Sequence, residues 1–214
     1  MRGRTALVSS LAVTVLVVVT VVGVRTWPEP APGPAPLPEA DTRPTTLASY
    51  DAQGAVVVRG AFCDRVSPTG IEHALDDVPA RSEAWDNGDR VPLPDGSRDR
   101  VHEYGCRWTA ADGTRAEAWV FAPPVAARQA RELRRDRPGE GCRTFRGDDF
   151  GTASVAWRCR DGAGSAGGVE ERYAGLFGDG WLTCTLTEAR VPTAELDVRA
   201  SGWCVSVLEA ARAG

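Results

Sequence analysis

Six cysteines constrain the fold of this 214-residue chain more than any other feature of its sequence. An even number of cysteines without C-x-x-C spacing is typical of disulfide bonds in an oxidising compartment. The closest two are seventeen residues apart, whereas zinc sites bring ligands together every two to five residues. We therefore expect three disulfides and no metal site. The cysteines are Cys63, Cys106, Cys142, Cys159, Cys184 and Cys204.

Side-chain direction narrows the fifteen pairings that six cysteines allow, although the sequence alone does not decide among them. In "WLTCTLT", strand alternation places Cys184 on one face with Leu182 and Leu186, and threonines on the other. Cys204 falls in the apolar stripe of the predicted last helix, which contains Leu196, Ala200, Trp203, Val207, Leu208 and Ala211. A bond between the two would fix this helix onto the sheet. With nearest sequence neighbours paired, the preferred set is Cys63–Cys106, Cys142–Cys159 and Cys184–Cys204.

The first 46 residues differ in composition from the rest of the chain. Arg2 and Arg4 precede residues 5–24, a run without a charge that is long enough to cross a ~30 Å hydrocarbon layer. We expect a cytoplasmic tail over residues 1–4 and a transmembrane signal anchor over 5–24, with a cleaved signal peptide as the alternative. Residues 25–46 are rich in proline and alanine and predict an extended linker.

Residues 47–214 form the predicted extracytoplasmic domain, which is long enough for one hydrophobic core. This segment has 26 acidic and 21 basic residues, which argues against nucleic acid as a partner. All 25 basic residues of the chain are arginine, so phosphate loops of the G-x-x-x-x-G-K type and lysine-dependent covalent chemistry are excluded.

The order of the predicted elements indicates an α+β fold. Hairpins imply an antiparallel sheet, and amphipathic helices imply that one of its faces is covered. We predict a curved antiparallel sheet with helices packed on one face, braced by disulfides. Strands are predicted over residues 55–60, 101–109, 115–122, 154–160, 169–177 and 181–187. Helices are predicted from Pro68 to about 78, from the prolines at 123–124 to about 135, and after Pro192. Residues 80–100 are predicted to form a polar loop.

No group of residues in the sequence points to catalysis, and we predict no catalytic residue and no cofactor. His73 and His102 fit no metal-ligand spacing, and "GAGSAG" matches a dinucleotide fingerprint by letters without the βαβ unit it needs. Two carboxylates facing each other across a cleft, one with a raised pKa, would indicate a carboxylate-dependent cell-wall hydrolase. Paired candidates are Asp76-Asp77, Asp86 with Asp89, and Asp148-Asp149.

Two features are candidate binding elements. Trp85 stands in the polar loop "SEAWDNGD", where an exposed indole could stack on a sugar or on a partner protein. The alternative is that its ring tucks into the edge of the core. Arg128, Arg131 and Arg134 follow one another along one side of a predicted helix and could meet an anionic wall polymer. Interleaved acids make a self-paired, solvated surface the alternative for this ridge.

The stretches "AFCDRV", "GCRW", "WLTCTL" and "GWCVSVL" resemble small extracytoplasmic domains of actinobacterial cell-envelope proteins, many of them lipoproteins with a Cys…Cys-Arg-Trp core. The resemblance implies an envelope location and a domain type, and it implies no catalytic residue. We therefore expect a non-catalytic, membrane-tethered domain that binds an envelope protein, wall polymer or other ligand as a sensor, assembly factor or scaffold. The alternatives are the carboxylate-dependent hydrolase and a structural spacer.

Overall fold

The computed structural model describes residues 45–92, 97–136, 139–160, 168–188 and 193–213, within the compact unit Thr42–Gly214. The predicted membrane anchor and the linker up to residue 44 lie outside the described residues. Among the residues described, no helix is both long enough and apolar enough to cross a bilayer. The helices are α1 (Pro68–Leu75), α2 (Ala127–Leu133) and α3 (Thr193–Ala211). The strands are β1 (Arg81–Trp85), β2 (Arg90–Pro92), β3 (Arg98–Arg100), β4 (Glu103–Thr109), β5 (Arg115–Phe121), β6 (Cys142–Phe145), β7 (Thr152–Arg160), β8 (Val169–Phe177) and β9 (Gly180–Glu188).

Seven of the described strands form one open antiparallel sheet in the order β1-β4-β5-β9-β8-β7-β6. The hairpin β4–β5 and the meander β6–β9 meet where β5 pairs with β9, so β9 lies near the centre of the sheet. Strands β2 and β3 form a separate two-stranded ribbon. The predicted α+β class with an antiparallel sheet and disulfides is confirmed.

Helix α3 covers one face of the sheet through the apolar stripe that the sequence predicts. Every residue of that stripe is buried. The Trp203 indole donates a hydrogen bond from Nε1 to the Glu117 carbonyl oxygen at 3.1 Å, and its ring meets Trp108 edge-on at 5.5 Å. Ile71 and Leu75 of α1 belong to the same core. The main hydrophobic core therefore lies between α1, α3 and this face of the sheet.

All six cysteines are paired, and the preferred connectivity is confirmed. One bond ties the short 3-10 helix Cys63–Arg65 to β4, one joins directly opposed residues of β6 and β7, and one joins β9 to α3. Their Cα–Cα distances are 5.9, 3.9 and 5.5 Å, in the order Cys63–Cys106, Cys142–Cys159 and Cys184–Cys204.

The short helix α2 packs against the opposite face of the sheet, over β7 and β8. Its Ala130 is fully buried and belongs to a second apolar cluster with Trp157, Leu176 and Trp181. The helix begins at Ala127, three residues after the second of the two prolines that were predicted to open it. This second cluster therefore lies on the face of the sheet that α3 does not cover.

Two predicted segments have a different structure. The segment 55–60 is not a strand of the sheet: only Val57 forms an isolated bridge, with Arg212 just beyond α3. The loop predicted over 80–100 instead contains β1, β2 and β3. Because β1 is an edge strand with its first four residues exposed, it lacks the alternation of apolar and polar residues that identifies a half-buried strand.

Candidate functional site

The sheet face opposite α3, which we call the tryptophan face, carries most of the aromatic side chains that do not belong to the main core. Cross-strand pairing aligns Trp85, Gly105, Trp119 and Thr183 in one row across β1, β4, β5 and β9. Trp157 and Trp181 lie on the same face, one in β7 and one in β9, beside the row. Three of these tryptophans, Trp119, Trp157 and Trp181, line a single depression.

This depression is a groove of about 210 Å³ between the sheet and α2. Its floor is formed by Trp157 and Trp181, which are 4% and 3% exposed, while Trp119 and Phe121 are half-buried along the sides. Leu133 at the end of α2 closes one side. The lining residues are Trp119, Phe121, Leu133, Asp136, Trp157, Arg172, Ala174, Trp181 and Thr183.

Two groove side chains have hydrogen-bond donors that are buried without a partner in the described part of the chain. These donors are Trp157 Nε1 and Arg172 Nε. The Arg172 guanidinium carbon lies 5.2 Å from the centre of the Trp119 ring, and its Nη2 donates to Glu170 Oε1 at 2.9 Å. The groove therefore combines flat aromatic surface with one cation, and the two unpartnered donors lie buried beneath its surface.

A network of charged side chains continues across the tryptophan face towards β1. Arg107 Nε donates to Glu117 Oε2 at 2.6 Å, and its Nη1 lies 3.3 Å from Glu83 Oε2. Thr185 is 3% exposed because it lies between Glu117 and Arg172 in its row. Long paired side chains thus cover Thr185, one of the threonines that lie on the face of β9 opposite Cys184.

Trp85 lies on β1, outside the groove, and its contacts are internal. Its ring covers Gly105, where an added Cβ would lie 2.3 Å from the indole. Its Nε1 donates to Glu103 Oε1 at 3.1 Å, and Arg107 lies 5.8 Å from its ring centre. Burial raises the pKa of Glu103, and the Trp85 hydrogen bond partly opposes that rise. The predicted role of Trp85 as a stacking residue stays a prediction.

The predicted arginine ridge lies on α2 and its end, and all three arginines are exposed. Arg128 is 3.8 Å from Glu132, one turn further along the helix. Arg134 lines a cavity of about 550 Å³ at the β6–β7 edge. That cavity also contains Asp148 and Asp149, so charges of both signs surround it. Arg128 and Arg131 line neither this cavity nor the groove.

One pair of carboxyl groups meets behind the β6–β7 edge, and it is not one of the pairs that the sequence suggests. Glu171 of β8 is fully buried beside Asp197 of α3, and Arg158 of β7 contacts both through Nη2. Arg158 Nε also donates to Glu171 Oε1 at 2.7 Å. Burial, followed by the hydrogen bond with Asp197, raises the pKa of Glu171 to about 8.

This cluster predicts a pH-dependent stability. Because the pKa of Glu171 is higher in the folded than in the unfolded chain, the folded state binds the extra proton between pH 4.5 and about 8. The stability that protonated Glu171 contributes is fully present below pH 4.5 and is lost as the pH rises through 8. We expect Glu171→Gln, which mimics the protonated acid, to abolish this pH dependence. The dependence amounts to about 2–4 kcal/mol in the free energy of unfolding.

Urea unfolding of the wild type and of Glu171→Gln at pH 5 and pH 8 measures the effect. The two proteins should have similar stability at pH 5, and the variant should be the more stable at pH 8. Asp77→Asn is a suitable control because Asp77 is exposed. Parallel profiles for the wild type and Glu171→Gln would contradict the prediction.

The remaining candidates for chemistry are not brought together. His73 lies in α1 and His102 lies between β3 and β4, and both are exposed. Within the described ranges, no group of three or more histidine, cysteine or acidic side chains is arranged to hold a metal ion. Asp86 and Asp89 lie in the β1–β2 turn, where Asp89 Oδ2 accepts a hydrogen bond from the Asp86 backbone at 2.8 Å. These acids therefore have local structural roles.

Sequence reasoning missed the groove because its residues come from β5, β7, β8, β9 and α2. Trp119, Trp157 and Trp181 each stand in a strand that the sequence predicts, and alternation gives their faces. The missing information is the strand order, which brings them side by side. Comparisons with protein-family models, with curated proteins and with solved structures find no match. The fold and the groove together define the class: a disulfide-braced α+β domain with an aromatic groove on its open sheet face.

Proposed function

We propose that the chain is a non-catalytic, membrane-tethered extracytoplasmic domain that binds a cell-envelope ligand or partner through the groove on the tryptophan face. The observation that carries the proposal is the groove itself. It brings together half-buried aromatic side chains and a cation in a concave site. Binding sites commonly combine apolar and aromatic walls with a few polar groups in this way.

The proposed location rests on two separate features. Three disulfides are favoured in an oxidising compartment and are rare in the cytosol. The uncharged run over residues 5–24, followed by a proline-rich linker, supports a single-pass anchor that holds the domain outside the cell membrane. The likeness to actinobacterial envelope domains belongs to the same proposal.

The two alternatives have less support. A hydrolase needs two carboxyl groups that face each other across a cleft. Arg158 contacts both Glu171 and Asp197, and Glu171 is fully buried. Asp148 and Asp149, which line the cavity of about 550 Å³, are consecutive residues that share it with Arg134 and Arg146. A structural spacer needs no concave site, so it leaves the groove without a role. The acidic excess of the domain also remains unfavourable for binding nucleic acid.

Site-specific photocrosslinking in intact cells tests the proposal. A photoreactive residue at Leu133, which closes the groove, should give adducts with an envelope component under ultraviolet light. Adding Trp119→Ala to the same chain should suppress them because it removes one aromatic wall. The matched control is a photoreactive residue at Val78, which is 62% exposed after α1 and lies outside the groove. Equal capture from the two positions, or none from Leu133, would contradict the proposal.

A further inference from the structure

We propose that the cavity at the β6–β7 edge is a second binding site, which takes a short peptide through its charged amino and carboxyl ends. Its volume of about 550 Å³ lies within the range of roughly 300–1,000 Å³ that is typical of ligand sites. Two arginines, Arg134 and Arg146, line it together with Asp148 and Asp149. The cavity shares no lining residue with the groove, so the assignment does not depend on the proposed function.

The four charged side chains of the cavity have no partner in the described part of the chain. All four are exposed, and none forms an ion pair or a side-chain hydrogen bond with another described residue. By contrast, Arg107 and Arg158 in the sheet each contact two acids. Opposite charges that line one cavity without pairing with each other leave a place for a ligand that carries both charges.

The loop that carries three of these charges is anchored at both of its ends. At one end, the Phe145 ring meets Tyr173 edge-on at 5.8 Å. At the other end, Phe150 is fully buried, and its ring centre lies 4.8 Å from that of Phe177. Between them, a Cβ added at Gly147 would lie 2.8 Å from the Tyr173 ring, so the loop is packed closely onto the sheet. Groups that are already held in position lose less conformational entropy when a ligand binds.

The edge of the sheet beside the cavity favours a peptide over other molecules that carry both charges. Strand β6 is the outermost strand, and no described strand pairs with its outer side. Its residues Thr144 and Phe145 line the cavity. An extended peptide can add to such an edge through backbone hydrogen bonds. The amide groups of the peptide then pair with β6, while its two ends meet the charged side chains.

A ligand with charges of one sign fits the cavity less well. An anionic polymer that is attracted to Arg134 and Arg146 also approaches the carboxylates of Asp148 and Asp149, and a polycation meets both arginines. Like charges repel each other, so each of these ligands loses part of what it gains. A peptide with free ends is neutral overall and presents one charge to each pair of side chains.

Titration of the full-length chain in detergent with trialanine tests the assignment. Trialanine carries both charges, N-acetyl-trialanine lacks the amino charge, and trialanine amide lacks the carboxylate. Trialanine should bind about three- to fivefold more tightly than either blocked peptide, as expected for the loss of one partly exposed charge pair. In ¹⁵N–¹H spectra, the backbone signals of Thr144 and Gly147 should shift during the titration, and the signal of Val78, outside the cavity, should not.

Two double variants assign the ends of the peptide. Arg134→Gln with Arg146→Gln should abolish the preference for the free carboxylate over the amide. Asp148→Asn with Asp149→Asn should abolish the preference for the free amino group over the acetylated one. Each double variant should keep the other preference, which a general loss of structure would not allow.

Single changes outside the cavity control for the change in net charge. Arg128→Gln on α2 and Asp77→Asn after α1 replace exposed residues that do not line the cavity, and they should leave the affinity for trialanine unchanged. Equal affinity for the three peptides, unshifted signals of Thr144 and Gly147, or no saturable binding with on the order of 10 mM trialanine would overturn the assignment.

Discussion

Reduction of the three disulfides is expected to unfold the domain at 37 °C. The bonds close loops with sequence separations of 43, 17 and 20 residues. In the chain-entropy model, the longest is worth about 4 kcal/mol and the other two about 3 kcal/mol each. Together this is comparable with the entire stability of about 5–15 kcal/mol that is typical of a folded domain. Near-ultraviolet circular dichroism, recorded with and without dithiothreitol, measures the loss of tertiary structure.

The Cys184–Cys204 bond alone should have a large effect, because both cysteines are essentially fully buried. Replacing both with alanine should lower the stability by about 3 kcal/mol because the loop is no longer closed. The lost packing of the two sulfur atoms should lower it further.

Oxidised dithiothreitol is the control for the reduction experiment. If mass spectrometry shows six free thiols while the circular dichroism spectrum is unchanged, the disulfides do not hold this fold together.

The connection between β9 and α3 was predictable from the sequence because each element has a strong pattern. Alternation places Cys184 with Leu182 and Leu186, and helical spacing places Cys204 among the apolar residues of α3. Both patterns identify the side that faces the main core, where the two cysteines meet. Two independent periodicities, joined by one covalent bond, therefore determine how α3 packs on β9.

The edges of the sheet were not predictable in the same way. Strand β1 exposes Arg81 to Ala84, so it has no buried face to produce a hydrophobic pattern. It is a strand because its backbone pairs with β4, from Arg81 opposite Thr109 to Trp85 opposite Gly105. Strand β6 is four residues long, and its register places Cys142 opposite Cys159. Such strands depend on a neighbour that the sequence does not identify.

The buried acid Glu171 lies at a position where strand alternation places a core side chain. In "VEERYAGLF", Val169, Glu171 and Tyr173 alternate on the face of β8 that α3 covers. The adjacent charges make the segment look solvated, although Glu171 is fully buried. The reason is the partner: Arg158 lies opposite Glu171 in the neighbouring strand, and only the strand pairing shows this.

Replacement of Arg158 with methionine is expected to destabilise the domain by about 3–5 kcal/mol at pH 9, and by much less at pH 5. The Arg158 side chain is 11% exposed and bonds both Glu171 and Asp197. Without it, two neighbouring carboxylates lose their only cation in the cluster, and removing one partner of a buried pair typically has this cost. At low pH, Glu171 is protonated and neutral, because burial already raises its pKa to about 8. The cost therefore increases with pH.

The double variant Arg158→Met with Glu171→Gln separates lost charge compensation from lost packing. It removes the buried ionisable acid together with its cation, and replacing both partners of a buried pair is often close to neutral. We expect it to recover most of the stability at pH 9, as measured by urea unfolding, and to show little dependence on pH. A cost of Arg158→Met that is the same at pH 5 and pH 9 would show that the arginine acts through its packing on Phe145, 4.7 Å from its guanidinium carbon, and not through its charge.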